Sequence, residues 1–120
     1  MAHPIVHIEL SATNHAEAAK WYAELFGWQT QEMPETDYST ALPAEDQAGI
    51  GFNPISDQQP AGTVTPYIYC EDIRDTLAAI DQHGGEVLVT PMDIPGVGQV
   101  ALFKDPTGNI MGLLQPTMEQ

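Results

Sequence analysis

The chain has 120 residues, 42% of them hydrophobic, and carries seventeen acidic against three basic side chains for a net charge of −14. That length fits one domain able to bury its own core, and so acidic a surface repels phosphate backbones and anionic lipid, which argues against nucleic acid and membrane surfaces as partners. The single Cys70 permits no disulfide within the chain, no Cys/His cluster of zinc-finger type occurs, and no apolar run reaches membrane-spanning length; with neither a basic leader nor a long apolar segment in MAHPIVHIEL, a cytoplasmic protein is expected.

Residues 5–10, IVHIEL, alternate as a strand with Val6, Ile8 and Leu10 on one face and Ile5, His7 and Glu9 on the other. Asn14, followed three residues later by Glu17, predicts a capped helix start. Ala18, Trp21, Tyr22, Leu25 and Phe26 recur at helical spacing and predict one apolar stripe, with Gly27 as its left-handed exit. Three short strands are expected at 28–33, 37–42 and 49–53. The polar segment ISDQQPAGT, 55–63, reads as a linker. The pattern then starts again, with a strand at 64–70 and a helix capped by Asp72 that carries Ile73, Leu77 and Ile80 and ends at Gly84 and Gly85. Strands follow at 86–90, 99–104 and 109–114, the last two joined by the turn DPTG, 105–108.

Superposing Gly27 on Gly85, an offset of 58, brings His7 onto Thr65, and an offset of 61 aligns AGIGF, 48–52, with NIMGL, 109–113. A supersecondary unit repeated in the same order is the strongest organisational signal in the chain. It predicts a single domain, 1–120, of two βαβββ modules at 5–54 and 64–116 with the linker 55–63 between them.

HIEL, nine residues and WYAELFGW at the start, DIRDTLAAIDQHGGEV in the middle and ALFKDPTGNIMGLLQP at the end resemble the vicinal oxygen chelate family, which includes glyoxalase I, bleomycin- and fosfomycin-resistance proteins and extradiol dioxygenases. The resemblance spans residues 5–116. It implies an α+β fold in which the two modules form a cup-shaped mixed sheet with helices on its outer side. It also implies four positions where metal-dependent members place His, Glu or Gln. His7 matches the first, Gly51 the second, Thr65 the third and Gly112 the fourth. A tightly held divalent metal needs about three protein donors, so no resident metal is expected; the alternative is a weakly bound divalent ion at His7. Glu9 shares a face with His7, but strand residues two apart are separated by about 6.5–7 Å along the backbone, which allows at best a loose two-ligand site.

With His7 on the inner face of the cup, parity adds Glu9, Asn53, Tyr67, Tyr69 and Leu114 to Thr65 as the expected ligand-binding set, and the glycines at 51 and 112 are expected to leave room. Each polar member has a plainer reading. Tyr67 and Tyr69 fit core or rim tyrosines with satisfied hydroxyls, Glu9 fits a solvated carboxylate at the mouth, and His7 fits a hydrogen-bonded cavity histidine. Enclosed, Glu9 is a candidate acid or base with His7 as its partner. Cys70 points toward the helix by parity and is not expected to act as a nucleophile. His3 lies farther along the strand, while His15 and His83 belong to helix ends. No GxxxxGKS, GxGxxG or GxSxG pattern supports a nucleotide or serine-hydrolase reading.

The expectation is therefore a glyoxalase/bleomycin-resistance-like protein that binds a small organic molecule, cationic or neutral given the acidity, without a tightly bound metal. The alternative is a lyase, isomerase or dioxygenase of the same family that uses His7 and Glu9 as partial metal ligands or as an acid/base pair. A homodimer is expected from the family.

Overall fold

The computed structural model describes residues 2–33, 36–44 and 46–117; Pro34, Glu35 and Glu45, which fall between the expected strands, lie outside these. Among the described residues the chain is α+β, in the order β1 (Ile5–Ser11), α1 (His15–Phe26), β2 (Gln29–Glu32), β3 (Ser39–Leu42), β4 (Gly49–Asn53), β5 (Val64–Tyr69), α2 (Ile73–Gln82), β6 (Glu86–Ile94), β7 (Gly98–Lys104) and β8 (Ile110–Pro116). The predicted double βαβββ order is present. No helix among the described residues is long and apolar enough to cross a membrane. The described residues divide into two compact units, one within 6–65 and the other of residues 66–117 with 2–5.

In the unit of residues 6–65 the strand order is β2-β3-β4-β1, with β1 parallel to β4 and the other pairs antiparallel. The meander β2–β3–β4 needs only short connections, whereas the parallel pairing of β1 with β4 requires the long excursion that α1 supplies. The register sets His7 opposite Gly49 and Glu9 opposite Gly51 on one face. Ile8, Leu10, Ile50 and Phe52 point the other way and pack with Ala18, Ala19, Tyr22, Trp28 and Ala41. Tyr22 stacks on Trp28 at 5.0 Å and 10° and lies 5.6 Å from Phe52, which is wholly buried. Such aromatic pairs add about 0.5–1.5 kcal/mol each beyond their area.

Asn14 caps α1 by accepting from the Glu17 amide at 3.1 Å, and Gly27, at φ 74°, donates its own amide to the Ala23 carbonyl. The predicted burial of α1 is corrected. Ala19 is its buried residue, while Trp21, Leu25 and Phe26 of the expected stripe are more than half exposed. The helix packs on the sheet through Ala18, Ala19 and Tyr22, and Trp21, Leu25 and Phe26 stay outside.

In the other unit the order β5-β8-β7-β6 repeats the plan, with β5 parallel to β8. Asp72 caps α2 through the Asp75 amide, and the Gln115 side chain of β8 accepts from the Ile73 amide at 2.8 Å, so two of the helix's initial donors are satisfied. Ile73 and Leu77 are buried with Cys70, Ala101, Phe103 and Leu113, and burying each Ile or Leu stabilises by about 1.5–3 kcal/mol. β6 runs four residues beyond its predicted end at Thr90, with register shifts between Val87 and Met92 that absorb the irregular pairing. The DPTG turn is held by Asp105, whose Oδ1 accepts from the Thr107 and Asn109 amides at 2.9 Å each and whose Oδ2 accepts from Asn109 Nδ2 at 3.0 Å.

Candidate functional site

His7 and Glu9 leave β1 on the same face, and their side chains converge. His7 Nε2 lies 3.3 Å from Glu9 Oε2, closer than backbone spacing alone suggests. The third member is Tyr38, in the connection before β3, whose hydroxyl donates to Glu9 Oε2 at 3.0 Å and stands 3.1 Å from His7 Nε2. The three groups close a ring of short polar contacts. The side chains of His7 and Glu9 are 22% and 15% exposed, so solutes can reach them. With the phenol proton directed at Glu9, the contact between His7 and Tyr38 is made by the imidazole Nε2–H donating to the phenol oxygen.

Glycine makes this arrangement possible. A Cβ at Gly51 would collide with the Tyr38 hydroxyl and ring and stand 3.0 Å from His7 Nε2. The room expected at position 51 is therefore filled by Tyr38. In the other unit Tyr67 and Gly112 are register partners, and a Cβ at Gly112 would collide with the Tyr67 ring. Both glycines leave space, and a tyrosine of the same unit occupies it. Tyr38 was legible only through parity, since Tyr38, Thr40 and Leu42 alternate and Thr40 is the register partner of Gly51; the short β3–β4 hairpin hides that register from the sequence.

The other expected site residues fall into two further groups. Asn53 and Thr65 are buried, and both are bound to Gln59 of the 55–63 segment: Asn53 Nδ2 donates to Gln59 Oε1 and Gln59 Nε2 donates to Thr65 Oγ1, each at 3.2 Å. The Ser11 hydroxyl adds a contact at 3.5 Å to Asn53 Oδ1. The expected linker is thus anchored by Gln59, whose polar role no periodicity announces. Tyr69 and Leu114 are register partners beside Tyr67 and Gly112. Tyr67 is buried and Tyr69 is half-buried, with its backbone carbonyl taken by His3 Nδ1 at 2.8 Å.

The remaining reactive side chains are accounted for. His15 Nδ1 pairs with the buried Ser39 hydroxyl at 2.6 Å, and His83 Nδ1 with the Ala79 carbonyl at the end of α2. Cys70 lies in the core, where burial pushes its thiol above the usual range, a reactive thiolate's opposite. A hollow of about 300 Å³ between α1 and β2–β3 is lined by Ala16, Ala19, Lys20, Thr30, Glu32 and Ser39, and the His7 cluster does not border it.

A metal does not fit these donors. His7 and Glu9 are two groups, Gly51 and Gly112 offer none, and the Thr65 hydroxyl is engaged by Gln59. Among the described residues no three His, Cys, Asp or Glu side chains converge on one point. The arrangement supplies instead a carboxylate acceptor, a phenol and an imidazole, a set that binds polar groups or moves protons.

Residues 4–111 match the model of the Glyoxalase/Bleomycin resistance protein/Dioxygenase superfamily. CFP32 of Mycobacterium tuberculosis, provisionally named a glyoxylase, is 31% identical over 115 residues, covering 90% of this chain and 44% of that protein. The anthracycline biosynthesis protein DnrV of Streptomyces peucetius is 29% identical over 116 residues, covering 83% of this chain and 42% of its own length. The chain therefore spans less than half the length of these curated relatives. Methylmalonyl-CoA epimerase from Mycobacterium tuberculosis shares the fold with a TM-score of 0.72 at 11% identity, over 95% of this chain and 88% of that one.

Proposed function

Because the chain belongs to the Glyoxalase/Bleomycin resistance protein/Dioxygenase superfamily, we propose that it is a member that binds a small organic molecule at the His7–Glu9–Tyr38 face without a tightly bound metal. The observation that carries this reading is the ring of contacts among those three side chains, two of which are part-buried and keep some exposure to solvent. A carboxylate in a unit with a single base among its residues, Lys20, favours a cationic or neutral ligand over an anionic one. The active unit is proposed to be a homodimer, supported by the exposed apolar side of α1 and by relatives more than twice this length.

The test is a thermal-shift screen of small amines, amides and aromatic heterocycles in the presence of a chelator, followed by calorimetry on each hit. Stabilisation by a compound, lost in Glu9→Ala, is the expected outcome; a panel of such compounds that leaves Tm unchanged counts against the reading.

The direct hydrogen bond from Tyr38 to Glu9 favours a second reading, a metal-free isomerase or lyase. In it Glu9 takes a proton from bound substrate, and His7 and Tyr38 stabilise the charge that develops. Proton exchange at an acidic C–H of a bound carbonyl compound, followed by NMR in deuterated water, tests it. Equal exchange with wild type, His7→Ala and Glu9→Ala removes it.

A further inference from the structure

We propose that Tyr38 is the residue that commits this site to hydrogen bonding and closes it to metal ions, an inference that rests on the metal-free reading above and names its cause. The geometry carries it in two independent ways. The first is occupancy: the Tyr38 hydroxyl and ring stand where a Cβ at residue 51 would be, so no side chain can grow from that position while Tyr38 is in place. Gly51 is the register partner of Glu9, and its missing Cβ would stand 3.0 Å from His7 Nε2. A carboxylate at 51 would bring a third donor to the His7–Glu9 pair, and Tyr38 excludes it.

The second is proton placement. The phenol proton lies on the Glu9 side of its 3.0 Å contact, which leaves the 3.1 Å contact to be made by an N–H at His7 Nε2. A protonated Nε2 has no lone pair to give an ion, and metal binding there requires the proton to leave and the phenol to move aside. The same Nε2–H also faces Glu9 Oε2 at 3.3 Å, so its one proton is shared between the phenol oxygen and the carboxylate. Substituting Tyr38 thus removes a steric plug and a competing partner at once, whereas substituting Gly51 alone only creates a clash.

Zinc chloride titrated calorimetrically into wild type, Tyr38→Phe and the double variant Tyr38→Ala/Gly51→Glu tests this. Each is run beside the same protein with His7→Ala so that binding to the acidic surface is subtracted, and folding is followed by circular dichroism. The expected result is His7-dependent zinc binding about tenfold tighter than wild type in Tyr38→Phe and about a hundredfold or more tighter in the double variant, which offers three donors. A folded double variant that binds zinc no more tightly than wild type overturns the proposal. If the double variant does not fold, an affinity unchanged in Tyr38→Phe overturns it. Wild type that already binds zinc through His7 as tightly as the double variant defeats the metal-free reading itself; weak binding in wild type with no gain in the folded variants defeats the role of Tyr38 alone.

Discussion

Tyr67 on β5 and Gly112 on β8 are register partners, and the tyrosine ring lies in the space that any side chain at 112 would need. Tyr67 is 5% exposed, so the ring cannot simply swing into water. Gly112→Ala is expected to destabilise by about 1–3 kcal/mol through overpacking. Tyr67→Ala should cost about 3 kcal/mol or more by opening a cavity. Because each change relieves the other, the double variant should cost clearly less than the sum, a coupling that a double-mutant cycle from urea unfolding reads directly. Additive losses would mean that ring and glycine do not meet.

Gln59 joins two buried partners, Asn53 and Thr65, from a segment that otherwise resembles a surface loop. Gln59→Ala leaves a buried amide proton and a buried hydroxyl short of a partner, for which about 1–3 kcal/mol of lost stability is expected. Neighbouring exposed Asp57→Ala should stay within about 0.5 kcal/mol of wild type. Chemical denaturation of the two variants separates an anchored segment from a passive connection, since a passive one predicts equal, small effects.

The duplicated plan was legible because each copy carries local punctuation with a physical cause. Asn14 and Asp72 cap helices and Gly27 takes the left-handed conformation at the end of α1. Strand parity likewise put Ile8 and Leu10 on one face and turned Cys70 toward the helix, and the two cores contain them. What escaped the sequence depends on objects it does not encode locally. The stripe of Trp21, Leu25 and Phe26 has the right period, but period says nothing of whether a sheet lies opposite to receive it. Gly51 and Gly112 read as vacancies because the tyrosines that fill them come from another strand or connection, through a register fixed only by folding. Gln59 is one polar residue in a polar loop, and its burial follows from Asn53 and Thr65 lying within reach.

Asp105 gives the chain a titrating lock on the DPTG turn. Hydrogen bonds from the Asn109 backbone and side chain, then from Thr107, lower its carboxyl from 3.8 to about 2. A carboxylate with a depressed folded value contributes stability that is fully present above its unfolded value and is lost as pH falls through the folded one. That contribution should therefore fade between about pH 4 and pH 2. In Asn109→Ala the Asp105 carboxyl, followed by carbon NMR, should titrate measurably closer to 3.8, and the acid limb of the stability curve should flatten. A titration unchanged by the substitution would show that the Asn109 side chain is not what holds the carboxylate, leaving that role to the backbone amide.

Cys70 reports on the core of its unit because it is wholly buried beside Leu77, Ile73 and Leu113, with its thiol pushed up by that burial. Only the thiolate attacks an aromatic disulfide reagent, so the folded chain should react slowly and through opening of this core. Leu77→Ala removes one wall of the cluster and should cost about 2–4 kcal/mol. If opening and closing are fast relative to labelling, the rate should rise in step with the lost stability, about tenfold for every 1.4 kcal/mol. Labelling at one rate in wild type and Leu77→Ala, with the stability loss confirmed by denaturation, would instead place the route to Cys70 through a local movement that leaves the α2 packing intact.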